Sequence, residues 1–216
     1  MNAEYVAAME DVLDLYAEAP DAGRPVVCFD EVPIQLIAET RQPVLAKPGQ
    51  PERFDYEYQR NGTCNQFVFV EPAAGWRHVA TTDHRTHVDF AQQMKWLADE
   101  RYPEATVIRV VLDNLNTHRP ASLYEAFAPA EAKRIWDRLE IHHTPLHGSW
   151  LNIAECEFSV LSAQCTNRRL SDQQALAAAT RAWAQERNHN QAPVKWQFTT
   201  ADARIQLVHL YPKLHD

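Results

Sequence analysis

The chain has 216 residues, enough for one domain with a sizeable core. Its 45% hydrophobic and 23% charged content is ordinary for a soluble globular protein, and no apolar run approaches the roughly eighteen residues of a membrane span. A net charge of −8 argues against a simple DNA-binding module, which is usually basic, but eight acidic residues against Arg24 alone in the first 31 positions account for nearly all of it. The acidic, amphipathic start is not a signal peptide, and the four cysteines form no CxxC pair. A cytoplasmic, reducing compartment and no membrane partner are expected.

In chain order, Tyr5, Val6, Met9, Leu13 and Tyr16 recur at helical spacing and predict a helix over 3–18, ended by Pro20 and Gly23. Residues 1–22 then form a helix and linker, and 23–216 the main domain. Val26 to Glu31 reads as a buried strand carrying Cys28 as a buried thiol, with Ile34 to Ala38 an extension or an edge. Prolines 43, 48 and 51 and the Asn61-Gly62 pair predict a long loop over 40–62. Thr63 to Val70 and Trp76 to Thr82 resemble strands around a Pro72–Gly75 turn.

From Val88 a helix runs toward Tyr102-Pro103. Val107 to Leu112, almost all aliphatic, reads as a strand covered on both faces. One or two helices broken at Pro129 fill 121–137, and Leu139 to His143 is a short strand. Trp150 to Cys165 is a helix with Ser149 as N-cap and Trp150 on its apolar stripe. Ser171 caps a helix reaching about Arg187, and a short helix near Ala201 to Leu210 ends the pattern. Hairpin strands followed by strand–helix alternation predict an α/β fold: a ribonuclease-H-like mixed five-stranded sheet flanked by helices.

Two apolar runs each arrive at an aspartate, VVCFDE at Asp30 and VIRVVLDN at Asp113. The stretch HHTPLHGSWLNIAECEF adds a helix carboxylate. Three acids from three elements are what a site needs to hold divalent metals for phosphoryl transfer. An aspartate at the exit of a buried strand is costly unless cations or donors meet it, although each aspartate alone is as readily a cap or an arginine partner. On the helix, Glu155 and Glu157 fall on opposite borders of the apolar stripe, and periodicity does not choose between them.

CFDE, LDNLNTH and TPLHGSWLNIAE, in this order, resemble the catalytic core of the DDE transposases, in the bacterial insertion-sequence branch of the mariner superfamily. The likeness also includes DYEYQRNGTCNQFVFVEPAAGWRHV, LSAQCTNRR and WQFTTADARIQLVHLYP. It implies a triad of Asp30, Asp113 and Glu155, the last being the acid of the LNxxE pattern, holding two Mg²⁺ or Mn²⁺ ions with Asp30 between them. It further implies DNA as partner (transposon ends and target), a homo-oligomer in the active complex, a preference for TA targets, and work in the bacterial cytoplasm on nucleoid DNA. Family members carry helix-turn-helix domains before the first aspartate, so a chain with only some 29 residues there reads as the catalytic part alone. Leu146 stands where the family has a basic residue.

His118, which closes the loop beginning at Asp113, is a candidate for contact with the scissile phosphate or for steadying a metal-bound water, and is as readily a plain surface-loop histidine; Asn114, His147, Arg168 and Arg169 are further candidates for phosphate contact. Arg181 and Arg187 add to a basic tendency after the key helix. No cysteine pair supports zinc at the His142, His143 and His147 cluster. Neutralising Asp113 is expected to relieve repulsion among the three acids. The competing readings are a non-catalytic remnant that binds DNA or a partner subunit, and a ribonuclease-H-like nuclease without strand transfer.

Overall fold

The computed structural model describes residues 3–41, 46–51 and 56–212. Five strands form one mixed sheet in the order β3-β2-β1-β4-β5, where β1 is Val26–Glu39, β2 Tyr58–Glu71, β3 Trp76–Thr82, β4 Ile108–Leu112 and β5 Leu139–His143. β1, β2 and β3 pair antiparallel, while β4 and β5 join β1 in parallel. This is the ribonuclease-H-like arrangement expected from the order of elements.

Side chains alternate across each strand, so the sheet has two apolar faces. Phe29, Phe67, Phe69, Ile108, Val110 and Leu112 point to one face, where Phe90 and Met94 of α2 (His87–Trp96), Leu123 of α3 (Pro120–Ala126) and Ile135 of α4 (Pro129–Trp136) cover them. Cys28, Val68, Val70 and Val111 point to the other. There they meet Met9 and Leu13 of α1 (Ala3–Ala17), Ala154 and Leu161 of α5 (Ile153–Leu161), and Trp183 of α6 (Gln173–His189). α7 (Thr200–Gln206) adds Ala203 to this second core. Burial by α5 is what brings a helix across the strands that carry the aspartates.

Local chemistry explains the boundaries. Thr86 and Asp89 form a reciprocal capping box at the start of α2, as do Thr199 and Asp202 at α7. α3 and α4 begin on Pro120 and Pro129, whose missing N–H costs nothing in a first turn. The predicted break at Pro129 is therefore a helix start.

Several expectations are corrected. Of the two readings of Ile34 to Ala38, the extension is the one realised: β1 runs unbroken through Pro33, because its ladder to β4 ends at Cys28–Val111 and no strand pairs with the proline on that side. The predicted loop over 40–62 is shorter, since β2 begins at Tyr58; residues 42–45 and 52–55 lie outside the described residues. Asn61-Gly62 is a strand irregularity, not a turn: the β1–β2 register shifts between Gln35 and Ile37, and Gly62 supplies the positive φ of 89° there. Asp172, not Ser171, caps α6. Ser149 does not cap α5. Ser149–Leu151 is a 3-10 turn, and the cap is Asn152, whose side chain accepts from the Ala154 N–H. Trp150 thus precedes the helix and is 39% exposed, stacked against Trp196, with its indole N–H toward the Tyr5 hydroxyl.

Candidate active site

The two aspartates are placed by strand periodicity. Parallel pairing sets Cys28 beside Val111, so two residues further along Asp30 and Asp113 are level with each other. Both share the parity of Cys28 and Val111, the face that α5 covers. Asp30 lies within β1 and is only 8% exposed, whereas Asp113 follows the last residue of β4 and its carboxylate is 45% exposed. Asp113 stands at the carboxyl-terminal end of β4, where open α/β sheets place their ligand sites, and Asp30 stands just past the end of the parallel pairing, within β1.

The helix resolves the choice between the two glutamates. Residues two apart on a helix differ by about 200° in direction, so Glu155 and Glu157 face nearly opposite ways. Glu157 is buried and doubly paired through one oxygen: its Oε1 takes Arg77 Nη2 at 2.8 Å and Arg187 Nη2 at 3.1 Å, while the buried Oε2 has no hydrogen-bond partner among the described residues. Arg77, equally buried, also donates to the carbonyls of Gly75 and Ala192. This ion triad ties β3, α5 and α6 together. Glu155 sits in the first turn of α5, half-buried, with no side-chain hydrogen bond or ion pair among the described residues.

Burial and neighbouring charge both act on Asp30. Burial pushes the Asp30 carboxyl up to about 7, the Glu31 N–H opposes that rise, and the charges of Glu155, Asp113 and Glu31 add to it. Asp30 is further held by its neighbours: Oδ1 accepts from the Glu31 N–H at 2.8 Å and Oδ2 from Asn152 Nδ2 at 3.2 Å. Asn152 Nδ2 also donates to the Phe29 carbonyl at 2.9 Å, so one amide both starts α5 and fastens it to β1.

Asp113 behaves differently. Burial works to raise it, but the His118 hydrogen bond, the Leu115 N–H and the charges of His118 and His143 outweigh burial and hold it below the usual carboxylate range. His118 lies between two acids, with Nδ1 2.8 Å from Asp113 Oδ1 and Nε2 3.1 Å from Glu31 Oε2. Burial lowers the histidine, yet these two carboxylates outweigh it and push His118 up to about 9.

Oxygen donors from Asp30, Asp113 and Glu155 suit a hard divalent cation. The fit shows in the charge pattern, since an acid raised by burial and by the charges of three neighbouring acids is a deficit of positive charge that a cation relieves. Asp113 Oδ2 and the Glu155 carboxylate carry no partner among the described residues, which leaves them available as ligands. The carboxylates do not stand at ligand spacing: among the described residues no three acidic, histidine or cysteine side chains form a ready-made metal cluster.

The remaining candidates divide. His118 is corrected: it is 2% exposed and both ring nitrogens are engaged, so it faces inward and does not present itself to a phosphate. Asn114 donates its amide to the Thr144 carbonyl at 2.6 Å, linking the ends of β4 and β5. Arg169 pairs with Glu39 and donates to the Glu57 carbonyl, and Arg168 Nε donates to the Cys165 carbonyl. His147 is exposed on the turn from Pro145 to Gly148, with a positive φ of 64°. Sequence reasoning missed Glu31 and Asn152. Glu31 was legible only as the second acid of CFDE, and Asn152 as the asparagine that opens the LNxxE pattern.

The mixed five-stranded sheet in the order β3-β2-β1-β4-β5, flanked by helices on both faces, defines the class of fold as ribonuclease-H-like. Residues 25–177 match the family of the DDE superfamily endonucleases, and the chain belongs to that family. No curated protein matches it. Among solved structures it is similar to the Mos1 mariner paired-end complex with Mn and to the Mos1 strand transfer complex. Each has a TM-score of 0.54 at 13% identity, over 89% of this chain. At that identity the likeness speaks for the fold. This chain spans 60% and 59% of the length of those two.

Proposed function

We propose that this chain is a transposase catalytic domain that hydrolyses DNA phosphodiesters and transfers strands during DNA transposition, with Asp30, Asp113 and Glu155 holding Mg²⁺ or Mn²⁺. One observation carries this reading: Asp30 and Asp113 lie on the sheet face that α5 covers, Asn152 at the start of α5 bonds Asp30, and Glu157 is consumed in an ion triad, which leaves Glu155 as the helix acid on the side of the aspartates. Family membership supports it, and the two structures of similar fold are described with Mn and as a strand transfer complex.

The reaction under this reading is attack of water on a phosphodiester at a transposon end, giving a 3′-hydroxyl and a 5′-phosphate; that 3′-hydroxyl then attacks a target phosphodiester, joining to its 5′-phosphate as the target 3′-hydroxyl leaves. Two bound ions would supply charge to the attacking and leaving oxygens. The chain's own part is positioning. Asn152 fixes Asp30 against the start of α5, His118 fixes Asp113, and the Glu157 triad sets the rotation of α5 so that Glu155 faces the aspartates. His147 and Arg168 are the candidates for phosphate contact, and DNA and further copies of the chain are the partners.

Incubation with transposon-end duplex, target plasmid and Mn²⁺ tests the reading. Nicks at the end, followed by joined products, are expected. Nicks without joined products would favour a hydrolytic nuclease of the same fold. Cleavage that persists in EDTA, or no cleavage of any duplex, would contradict the reading.

A further inference from the structure

We infer that His118, braced by Glu31, is a positioning residue that locks the spacing and direction of the second aspartate relative to the first; this rests on the metal-binding reading above. The backbone alone does not supply that lock. The β1–β4 ladder runs from Val26–Arg109 to Cys28–Val111 and then stops, two residues short of Asp30 and Asp113. Both acids stand where paired backbone no longer holds the strands together. Across that gap lies a side-chain bridge: Glu31, next to Asp30 on β1, then His118, then Asp113. His118 Nδ1 also lies 3.3 Å from the Asp113 carbonyl, so the bridge grips the backbone as well as the carboxylate.

The histidine has no freedom to do otherwise. Its ring lies edge-on to Phe29, with centroids 5.4 Å apart, and against Phe90 at 4.9 Å. It is 2% exposed, and Ser122, three residues into α3, bonds the Thr117 carbonyl just before it. From the Asp113 side, His118 and the Leu115 N–H both bind Oδ1. Oδ2 carries no bond, so the clamp rotates the carboxylate and leaves one oxygen for a cation. Partners of this kind typically change metal affinity by 10–100-fold when removed.

Mn²⁺ titration of the full chain, followed by thermal melting and by calorimetry, tests the clamp without any activity readout. For His118→Ala we expect the half-saturating Mn²⁺ concentration to rise by about tenfold or more, with the parent's melting shift recovered at saturation. His118→Gln, which keeps a donor toward Asp113 and fills more of the space, should restore much of the affinity. A His118→Ala protein that melts lower but binds Mn²⁺ like the parent would overturn the proposal, because the residue would then be structural only. Should His118→Ala fail to fold, Glu31→Ala carries the test: weakened Mn²⁺ binding supports the clamp, and parent-like binding overturns it. A parent chain that binds no Mn²⁺ would overturn the metal reading itself, an outcome distinct from failure of the clamp.

Discussion

Asp30→Asn should stabilise the metal-free protein at alkaline pH. A carboxyl raised from 3.8 to about 7 stays protonated in the folded chain while the unfolded chain ionises. The folded state therefore binds more protons between those values, and its stability falls as pH rises from about 4 to about 7, then levels off. Three units correspond to about 4 kcal/mol lost by pH 8. Asparagine removes that loss. Its carbonyl oxygen can still accept from the Glu31 N–H, but its amino group faces the Asn152 Nδ2 donor, which costs about 1 kcal/mol. The net gain is about 3 kcal/mol at pH 8, or about 6–12 °C in melting temperature for a domain of this size. At pH 4 both side chains are neutral and the variant should melt slightly below the parent. Melts in EDTA across this range give the answer. A gap independent of pH, or a variant less stable at pH 8, would refute the placement of the electrostatic strain on Asp30.

Asp113→Asn should do the opposite, losing about 1–2 kcal/mol at pH 7 because His118 loses a charged partner; thermal melts check this. The His118 contribution is fully present below about pH 6.5 and disappears as pH rises through about 9, so the deficit should fade in the same window. Glu157→Gln should cost about 3 kcal/mol by leaving Arg77 buried and under-paired, yet keep the Mn²⁺-induced rise in melting temperature. Glu155→Gln should keep its stability and lose that rise; the reverse pattern would move the site to the other side of α5. Binding to end DNA should be weak, indifferent to sequence and steeply dependent on salt, as gel shifts from low to raised ionic strength would show.

Much of the fold was legible because it follows from period-two alternation and from capping chemistry. The all-buried run of β4 and the Pro129 break announce themselves in the residues. The long β1 was legible only as one of two alternatives, since nothing local says that its parallel pairing with β4 stops at Cys28–Val111. The start of α5 was misplaced because Ser149 and Asn152 are both good caps, and only contact with Phe29 and Asp30 selects the asparagine. At the site, residue types and order pointed to three acids, and resemblance singled out Glu155. The electrostatics were not legible. From sequence, neutralising Asp113 should relieve repulsion; in the structure its charge does add to the burial that raises Asp30, but it is also paired with a buried histidine, which its neutralisation would leave under-paired. That contact joins residues 31, 113 and 118 across two elements, a relation that sequence spacing does not encode.

The central claim is that Asp30, Asp113 and Glu155 hold divalent metal. Crystals of the chain soaked in Mn²⁺ and measured at the manganese absorption edge test it most directly. The account predicts anomalous density between Asp30, Asp113 Oδ2 and Glu155, with the Glu157 triad unchanged. Manganese bound at other residues, or no density at this edge of the sheet at a saturating concentration, would contradict it.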